Sequence, residues 1–205
     1  VKEGAQDYLR KDQISNEVLS RVIQFAVERH QTNNRLNHLN RILRAIRNIN
    51  KLIVQEKSEL ILIQKTCDLL FEIHSYTYVW IALQDDLNTI KLLSQAGLGE
   101  KYDEFLSMLK NNWSKCIGLA LKSPDKIEVI DPKSACIGCP IDEDQETMSE
   151  IISVLQHGDK QLGVLGVMFP ESQTFDEEEK SLLQELVGDI SFALYNINLA
   201  ESRRK

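Results

Sequence analysis

The sequence lacks the short motifs of several well-characterised catalytic centres. It contains no G-x-x-x-x-G-K-[ST] phosphate loop, no H-E-x-x-H metal-binding helix and no G-x-S-x-G nucleophile elbow. Each of these motifs positions a phosphate, a metal ion or a nucleophile on a particular backbone conformation. Their absence argues against the enzyme classes that depend on them, and we expect this stretch of chain to be non-catalytic.

Long hydrophobic runs are also missing. A membrane-spanning helix needs about 20 consecutive apolar residues, and no run in this chain approaches that length. No signal-peptide pattern opens the sequence, which favours a cytoplasmic location without membrane insertion. The net charge of −7 and the pI of about 5.2 argue against nucleic acid as a partner, because phosphate binding requires a basic surface.

Cysteine is scarce, with four residues in a chain of 205: Cys67, Cys116, Cys136 and Cys139. In a cytoplasmic protein these side chains are expected to be reduced thiols. Cys136 and Cys139 form a C-x-x-C pair, which can act as a redox-switchable disulfide, as half of a metal site, or as two thiols that close a loop. The remaining cysteines and histidines match no zinc-ligand spacing, so we predict a reduced, metal-free pair.

The clearest structural signal lies between Met148 and Phe169. Gly158-Asp159 is a two-residue hairpin signal. On either side of it, apolar residues occupy both the odd and the even positions, so each strand has two apolar faces. This pattern predicts a central antiparallel hairpin that is covered on both faces. Gly163 and Gly166 fall on opposite faces, where a missing side chain permits the close approach of a neighbouring group.

Weaker patterns surround this hairpin. A second hairpin is predicted from Tyr76–Leu83 and Ile90–Ala96, and a short strand from Ile127–Ile130. Ser58 and Asp176 are each positioned to cap the start of a helix. Strands and helices that alternate irregularly in this way indicate an α+β fold with a central antiparallel sheet and flanking helices.

The region before Ser58 is predicted to be one long helix, since neither proline nor glycine interrupts residues 14–56. Its apolar residues follow a heptad seam with a single polar member, and the last helix shows a similar repeat. We therefore predict a parallel homodimer through both helices. The alternative is packing within the protomer, for which Ile42 and Ile49 leave room. The predicted seam residues are Leu36, Leu39, Leu43, Ile46, Asn50, Ile53, Leu183, Leu186, Ile190 and Ile197.

The first residues carry a family resemblance. The stretch Gly4-Ala5-x-Asp7-Tyr8-Leu9-x-Lys11 resembles the C-terminal end of a response-regulator receiver domain. In that family the lysine contacts the phosphorylated aspartate, whose counterpart is absent here. The resemblance implies a two-component phosphorelay, and we expect a parent protein that carries a histidine kinase or a nucleotide cyclase as its output domain.

The body of the chain has a second resemblance. The order of helix, hairpin, cysteine loop, a hairpin containing Gly163-Val164-Leu165-Gly166-Val167, then Phe175-Asp176 and a long helix resembles a GAF domain. GAF domains are sensory or dimerisation modules that bind cyclic nucleotides, tetrapyrroles, haem or small anions, or no known ligand. The chain lacks an N-K-F-D-E signature and a bilin-attachment pattern, so the cofactor is unknown. The implied pocket residues are Tyr78, Trp80, Cys116, Gly118, Cys136 and Cys139.

These patterns divide the chain into four parts. Residues 1–30 form the receiver-like remnant, 31–57 a coiled-coil signalling helix, 58–182 the GAF-like sensor and 183–205 an output helix. The predicted function is that of a non-catalytic sensory module that binds a small molecule or relays a signal through dimeric helices. The alternatives are a structural dimerisation module without ligand and a thiol redox sensor that uses Cys136 and Cys139.

Overall fold

The computed structural model describes residues 15–73, 75–85, 89–111, 115–124, 127–130, 139–140, 148–171 and 175–203. The chain divides into two compact units, residues 1–41 and 42–205. Helix α1, Asn16–Gln55, is 40 residues long and passes from the first unit into the second. The prediction of one unbroken helix is confirmed. Residues 1–14, which include Lys11 and carry the resemblance to a receiver domain, lie outside the described residues.

The second unit contains a five-stranded antiparallel sheet with the order β2-β1-β5-β4-β3. The predicted central hairpin is confirmed, since His157 pairs with Lys160 across a turn in which Gly158 has a φ of 58°. Apolar side chains on both faces of this hairpin are buried. The strands are β1 Tyr78–Gln84, β2 Ile90–Ala96, β3 Glu128–Ile130, β4 Met148–His157 and β5 Lys160–Pro170.

Helices cover both faces of the sheet. Helix α2 contacts β1 and β2, whereas the last helix, α5, contacts β4 and β5. Helices α3 and α4 contribute to an apolar layer on the opposite face. The helices of the second unit after α1 are α2 Glu59–Phe71, α3 Tyr102–Asn111, which follows a 3₁₀ turn at Gly99–Lys101, α4 Lys115–Ala120 and α5 Glu177–Ser202. Among the residues that the structure describes, no helix is both long and apolar enough to cross a bilayer.

Both predicted helix caps are present. The Ser58 side chain accepts a hydrogen bond from the Ile61 amide at 3.5 Å, and Asp176 Oδ1 accepts one from the Glu179 amide at 3.0 Å. Each cap satisfies a backbone N–H that has no partner inside the helix. The caps therefore set the start of α2 and of α5 from local sequence alone.

The apolar stripe of α5 is used inside the protomer. Its predicted seam residues are buried in the second unit, where α5 lies against β4 and β5. These side chains are not available to a partner, which corrects their assignment to a dimer seam. Over a few helical turns a heptad repeat and an amphipathic helix that packs on a sheet give nearly the same spacing. The residues concerned are Leu183, Leu186, Ile190 and Ile197.

Candidate functional site

One face of the sheet, which we call the Trp80 face, carries the predicted pocket residues Tyr78 and Trp80. The strand register places Tyr78, Met168 and Glu150 in one row across β1, β5 and β4. The next row contains Trp80, Gly166 and Ile152. Residues two apart on a strand share a face, so these two rows lie side by side in the same layer.

A buried carboxylate lies in this layer. The indole Nε1 of Trp80 donates a hydrogen bond to Glu150 Oε1 at 3.2 Å. Trp80 is 1% exposed and Glu150 is 3% exposed. The indole can reach across β5 because Gly166 has no side chain, and an added Cβ there would lie 2.1 Å from Trp80 Cε2.

Apolar groups surround this pair. The ring of Phe105 in α3 meets Trp80 edge to face, with 5.3 Å between the ring centroids. Cys116 and Ile117 from α4, together with Ile130 from β3, belong to the same buried cluster. Glu150 thus places a buried carboxyl group beside a cluster of hydrocarbon, aromatic and thiol groups.

The structure brings together three of the predicted pocket residues. Trp80, Cys116 and Cys139 lie in one buried cluster, and Tyr78 is half-buried against it. Gly118 lies on α4, half-buried, and an added Cβ would meet nothing within 4 Å. Cys136 lies outside the described residues. Within the described ranges, no three His, Cys, Asp or Glu side chains lie close enough together to hold a metal ion.

Sequence reasoning missed Glu150. The available signal was an acidic residue next to the apolar run that begins at Ile151, where charge is unexpected in a strand buried on both faces. Its partner Trp80 is 70 residues away in the chain. Only the strand register brings the indole and the carboxylate together.

Helix α1 carries a second candidate surface within the second unit. We call Ile42, Ala45 and Ile49 the inner stripe, because these side chains are buried. We call Leu43, Ile46, Asn50 and Val54 the outer stripe, which lines a surface groove of about 670 Å³ together with Arg47, Lys51 and Gln55.

The outer stripe is apolar apart from Asn50 and is partly accessible to solvent. Leu43 is 48% exposed and Val54 is 84% exposed, whereas Ile46, Asn50 and Ile53 are half-buried. The Oδ1 atom of Asn50 is buried and has no hydrogen-bond partner among the residues that the structure describes. The predicted seam continued through Ile53 and did not include Val54. A strict heptad has 3.5 residues per turn, whereas a straight helix has 3.6, so the predicted positions drift away from the observed face along the helix.

Two further predicted seam residues belong to the first unit. Leu36 is exposed and Leu39 is half-buried there. Both lie on α1, as predicted. Their part in a dimer seam stays a prediction.

The geometry can be compared with known structures. The GAF domain of an Acinetobacter phosphoenolpyruvate-protein phosphotransferase is 18% identical, with a TM-score of 0.60, over 77% of this chain and 94% of that chain. The corresponding GAF domain from Coxiella burnetii is 16% identical, with a TM-score of 0.60, over 78% and 96%. The free methionine-R-sulfoxide reductase of Neisseria meningitidis is 17% identical, with a TM-score of 0.56, over 78% and 91%.

These likenesses show the fold, which is that of a GAF domain. No protein-family model matches the chain, and no curated protein matches its sequence. The predicted α+β architecture, with a long N-terminal helix and flanking helices, is confirmed.

Proposed function

We propose that this chain is a sensory or regulatory module that binds a small molecule on the Trp80 face and passes the resulting change to its terminal helices. The observation that supports this proposal is the buried Glu150 carboxylate, hydrogen-bonded to Trp80 in an apolar layer. Removing a carboxylate from water costs several kcal/mol, at an order-of-magnitude level. We take the retention of this carboxylate at that cost as support for a ligand site on the Trp80 face.

The chemistry of the layer suggests a ligand class. A carboxylate binds hydrogen-bond donors and positive charge most strongly, and an indole face accepts flat or cationic groups. We therefore expect a compact molecule that carries an ammonium, guanidinium or N–H group. Its apolar portion would lie among Phe105, Cys116 and Ile117.

The route of the signal follows from the strand contacts. Glu150 lies on β4, and β4 contacts α5. A ligand that displaces Glu150 would thus shift the strand that contacts α5.

We propose that this module acts without catalysis of its own and in a two-component phosphorelay. The support for this context is the receiver-like N-terminal stretch.

The test is a melting-temperature screen of the whole chain against amines, guanidinium compounds, nucleotides and amino acids. The panel includes free methionine-R-sulfoxide, because the Neisseria meningitidis protein of similar fold is a reductase of that compound. At least one compound should raise the melting temperature of the wild type. Glu150→Gln keeps an acceptor oxygen for Trp80 and removes the carboxylate. The variant should therefore bind that compound about tenfold more weakly or worse.

A matched control is Glu179→Gln, which also neutralises a buried carboxylate. Glu179 lies on α5 and accepts from Tyr76, away from the Trp80 face. This variant should keep the wild-type affinity. A panel without any stabilising compound, or equal affinities in wild type and Glu150→Gln, would argue against the proposal.

Thiol redox sensing is the second candidate function. It is favoured by the placement of Cys116 and Cys139 in the same buried cluster. With hydrogen peroxide as the oxidant, two thiols would lose two electrons and two protons to form a disulfide, and the peroxide would become two waters. Peptide mapping should then find Cys139 in a disulfide with Cys136 or Cys116, while Cys67 stays reduced. Sulfonic acid products without a disulfide would count against this function.

A further inference from the structure

We propose that a basic surface on helices α1 and α2 of the second unit docks an acidic amphipathic helix of a partner protein. We call this surface the basic face and define it by four exposed side chains, Arg44, Arg47, Lys51 and Lys65. The inference goes beyond the ligand site proposed above, because it uses no residue of the Trp80 face. Failure of the ligand screen and failure of this proposal are therefore separate results.

The first argument is the charge of α1. The protein as a whole is acidic, with a net charge of −7, yet no acidic residue occurs between Arg29 and Gln55. Arg44, Arg47 and Lys51 are three and four residues apart, so their side chains leave the helix on one side. Arg47 and Lys51 are four residues apart, a spacing at which like charges destabilise a helix. This side of α1 would therefore be stabilised by a partner that carries carboxylates.

The second argument is the lack of partners for these cations within the part of the chain that the structure describes. The side chains of Arg44, Arg47 and Lys51 make no ion pair or hydrogen bond there. A helix C-terminus attracts cations in its last turn, but the last turn of α1 contains no basic residue. Lys65 lies 3.8 Å from Glu56 with its side chain 56% exposed. Such a surface pair is weak and leaves Lys65 accessible to a second carboxylate.

The third argument is a groove beside the basic face. Helices α1 and α2 line a surface groove of about 320 Å³, to which each helix contributes a lysine, Lys51 or Lys65. The half-buried Leu52 and Leu69 line the same groove. Asp68 lines it as well, and its carboxylate accepts a hydrogen bond at 3.0 Å from a glutamine one turn earlier in α2. The groove can therefore receive an apolar side chain whose neighbours pair with the two ammonium groups.

The combination of charge and groove selects among anionic partners. A nucleic acid offers phosphates but no aliphatic side chain for the groove, and the net charge of −7 opposes its approach to the rest of the protein. An anionic membrane meets the same repulsion. A second copy of this chain presents the same cations, so two basic faces repel each other. An acidic amphipathic helix supplies both carboxylates and an apolar side chain, as in the helix-in-groove mode of recognition.

Fluorescence anisotropy with the whole chain tests the basic face. The probe is a labelled helical peptide of about 16 residues, long enough to cover Arg44 to Gln55, with glutamates beside a line of leucines. It should bind, and more weakly as salt is raised from about 0.05 M to about 0.3 M, because salt screens exposed charges. The peptide with glutamine in place of glutamate should bind about tenfold more weakly or worse. The peptide with serine in place of leucine should also bind more weakly, because it has no apolar side chain for the groove.

Charge reversal in the protein locates the contact. Lys51→Glu should weaken binding of the probe about fivefold or more. Lys110→Glu is the matched control, because Lys110 is an exposed lysine on α3, and it should leave binding unchanged. Arg47→Gln relieves the like-charge pair within α1, so it should weaken binding while the protein keeps its melting temperature.

The proposal fails if the glutamate peptide does not bind, if Lys51→Glu and Lys110→Glu act alike, or if binding strengthens with salt. It also fails if duplex DNA or phosphatidylserine vesicles bind through Lys51 more tightly than the peptide, because the face would then serve a phosphate surface. A change in the sedimentation of the protein alone on Lys51→Glu would assign the face to contacts between copies and would likewise overturn the proposal.

Discussion

Any side chain at position 166 would meet the indole of Trp80, because a Cβ placed there would lie 2.1 Å from Trp80 Cε2. Gly166 thus determines where the indole lies, and the indole in turn donates to Glu150 at 3.2 Å. The candidate site depends on a residue that has no side chain of its own.

Gly166→Ala should therefore displace Trp80 and break its hydrogen bond to Glu150. Overpacking of a closely packed core costs about 1–3 kcal/mol, and the buried carboxylate would lose a donor as well. Urea unfolding followed by tryptophan fluorescence measures the loss. Gly188→Ala in α5 is the control, since an added Cβ there meets nothing within 4 Å. It should be neutral or stabilise by about 0.5–1 kcal/mol.

Tyr76→Phe should destabilise the contact between α5 and the segment that precedes β1. The Tyr76 hydroxyl donates to Glu179 Oε1 at 2.9 Å, and Glu179 is fully buried. Loss of this donor from a buried carboxylate should cost about 1–3 kcal/mol in the free energy of unfolding. Tyr102→Phe removes a longer, 3.4 Å hydrogen bond to the Leu93 carbonyl and should cost clearly less. Equal costs would show that the buried carboxylate does not depend on Tyr76.

Cys67 should make the fold sensitive to alkaline pH. Burial, and to a smaller degree the charge of Asp68, raises the pKa of the Cys67 thiol. The folded protein therefore holds this proton more tightly than the unfolded chain, whose thiol pKa is about 8.5. The contribution to stability is complete below that value and is lost as pH rises above it.

The measurement is the urea midpoint at about pH 7 and about pH 10, either side of the unfolded thiol pKa. The wild type should lose more stability over this range than Cys67→Ala, which has no thiol at this position. The difference between the two proteins isolates Cys67 from the other titrating groups. Parallel losses in both would show that Cys67 does not titrate on unfolding.

Asp176→Ala should weaken the start of α5. The Asp176 carboxylate accepts from the Glu179 amide, and removal of such a cap costs about 1 kcal/mol. Asp176→Asn retains an acceptor oxygen and should restore most of the loss, as measured by thermal unfolding. An asparagine variant as unstable as the alanine variant would indicate that the charge at the helix N-terminus matters more than the hydrogen bond.

Local features of this protein were determined by the sequence alone. The hairpin turn at Gly158, the two helix caps and the unbroken α1 depend on residues within a few positions of one another. Their physical causes, which are backbone freedom, a side-chain acceptor and the absence of helix breakers, act over the same short distance. They could be predicted without knowledge of the packing.

Tertiary structure decided which surfaces are inside and which residues meet. Leu183 and Leu43 are both apolar positions of a predicted heptad repeat. In the structure Leu183 is buried against the sheet, whereas Leu43 remains exposed. Trp80 and Glu150 meet because β5 lies between β1 and β4 with one particular register. The periodicity of a helix identifies its apolar face but not the surface that covers this face. The residue pattern of a strand likewise does not identify the strands that pair with it. Both are properties of long-range packing, which a single sequence read residue by residue does not contain.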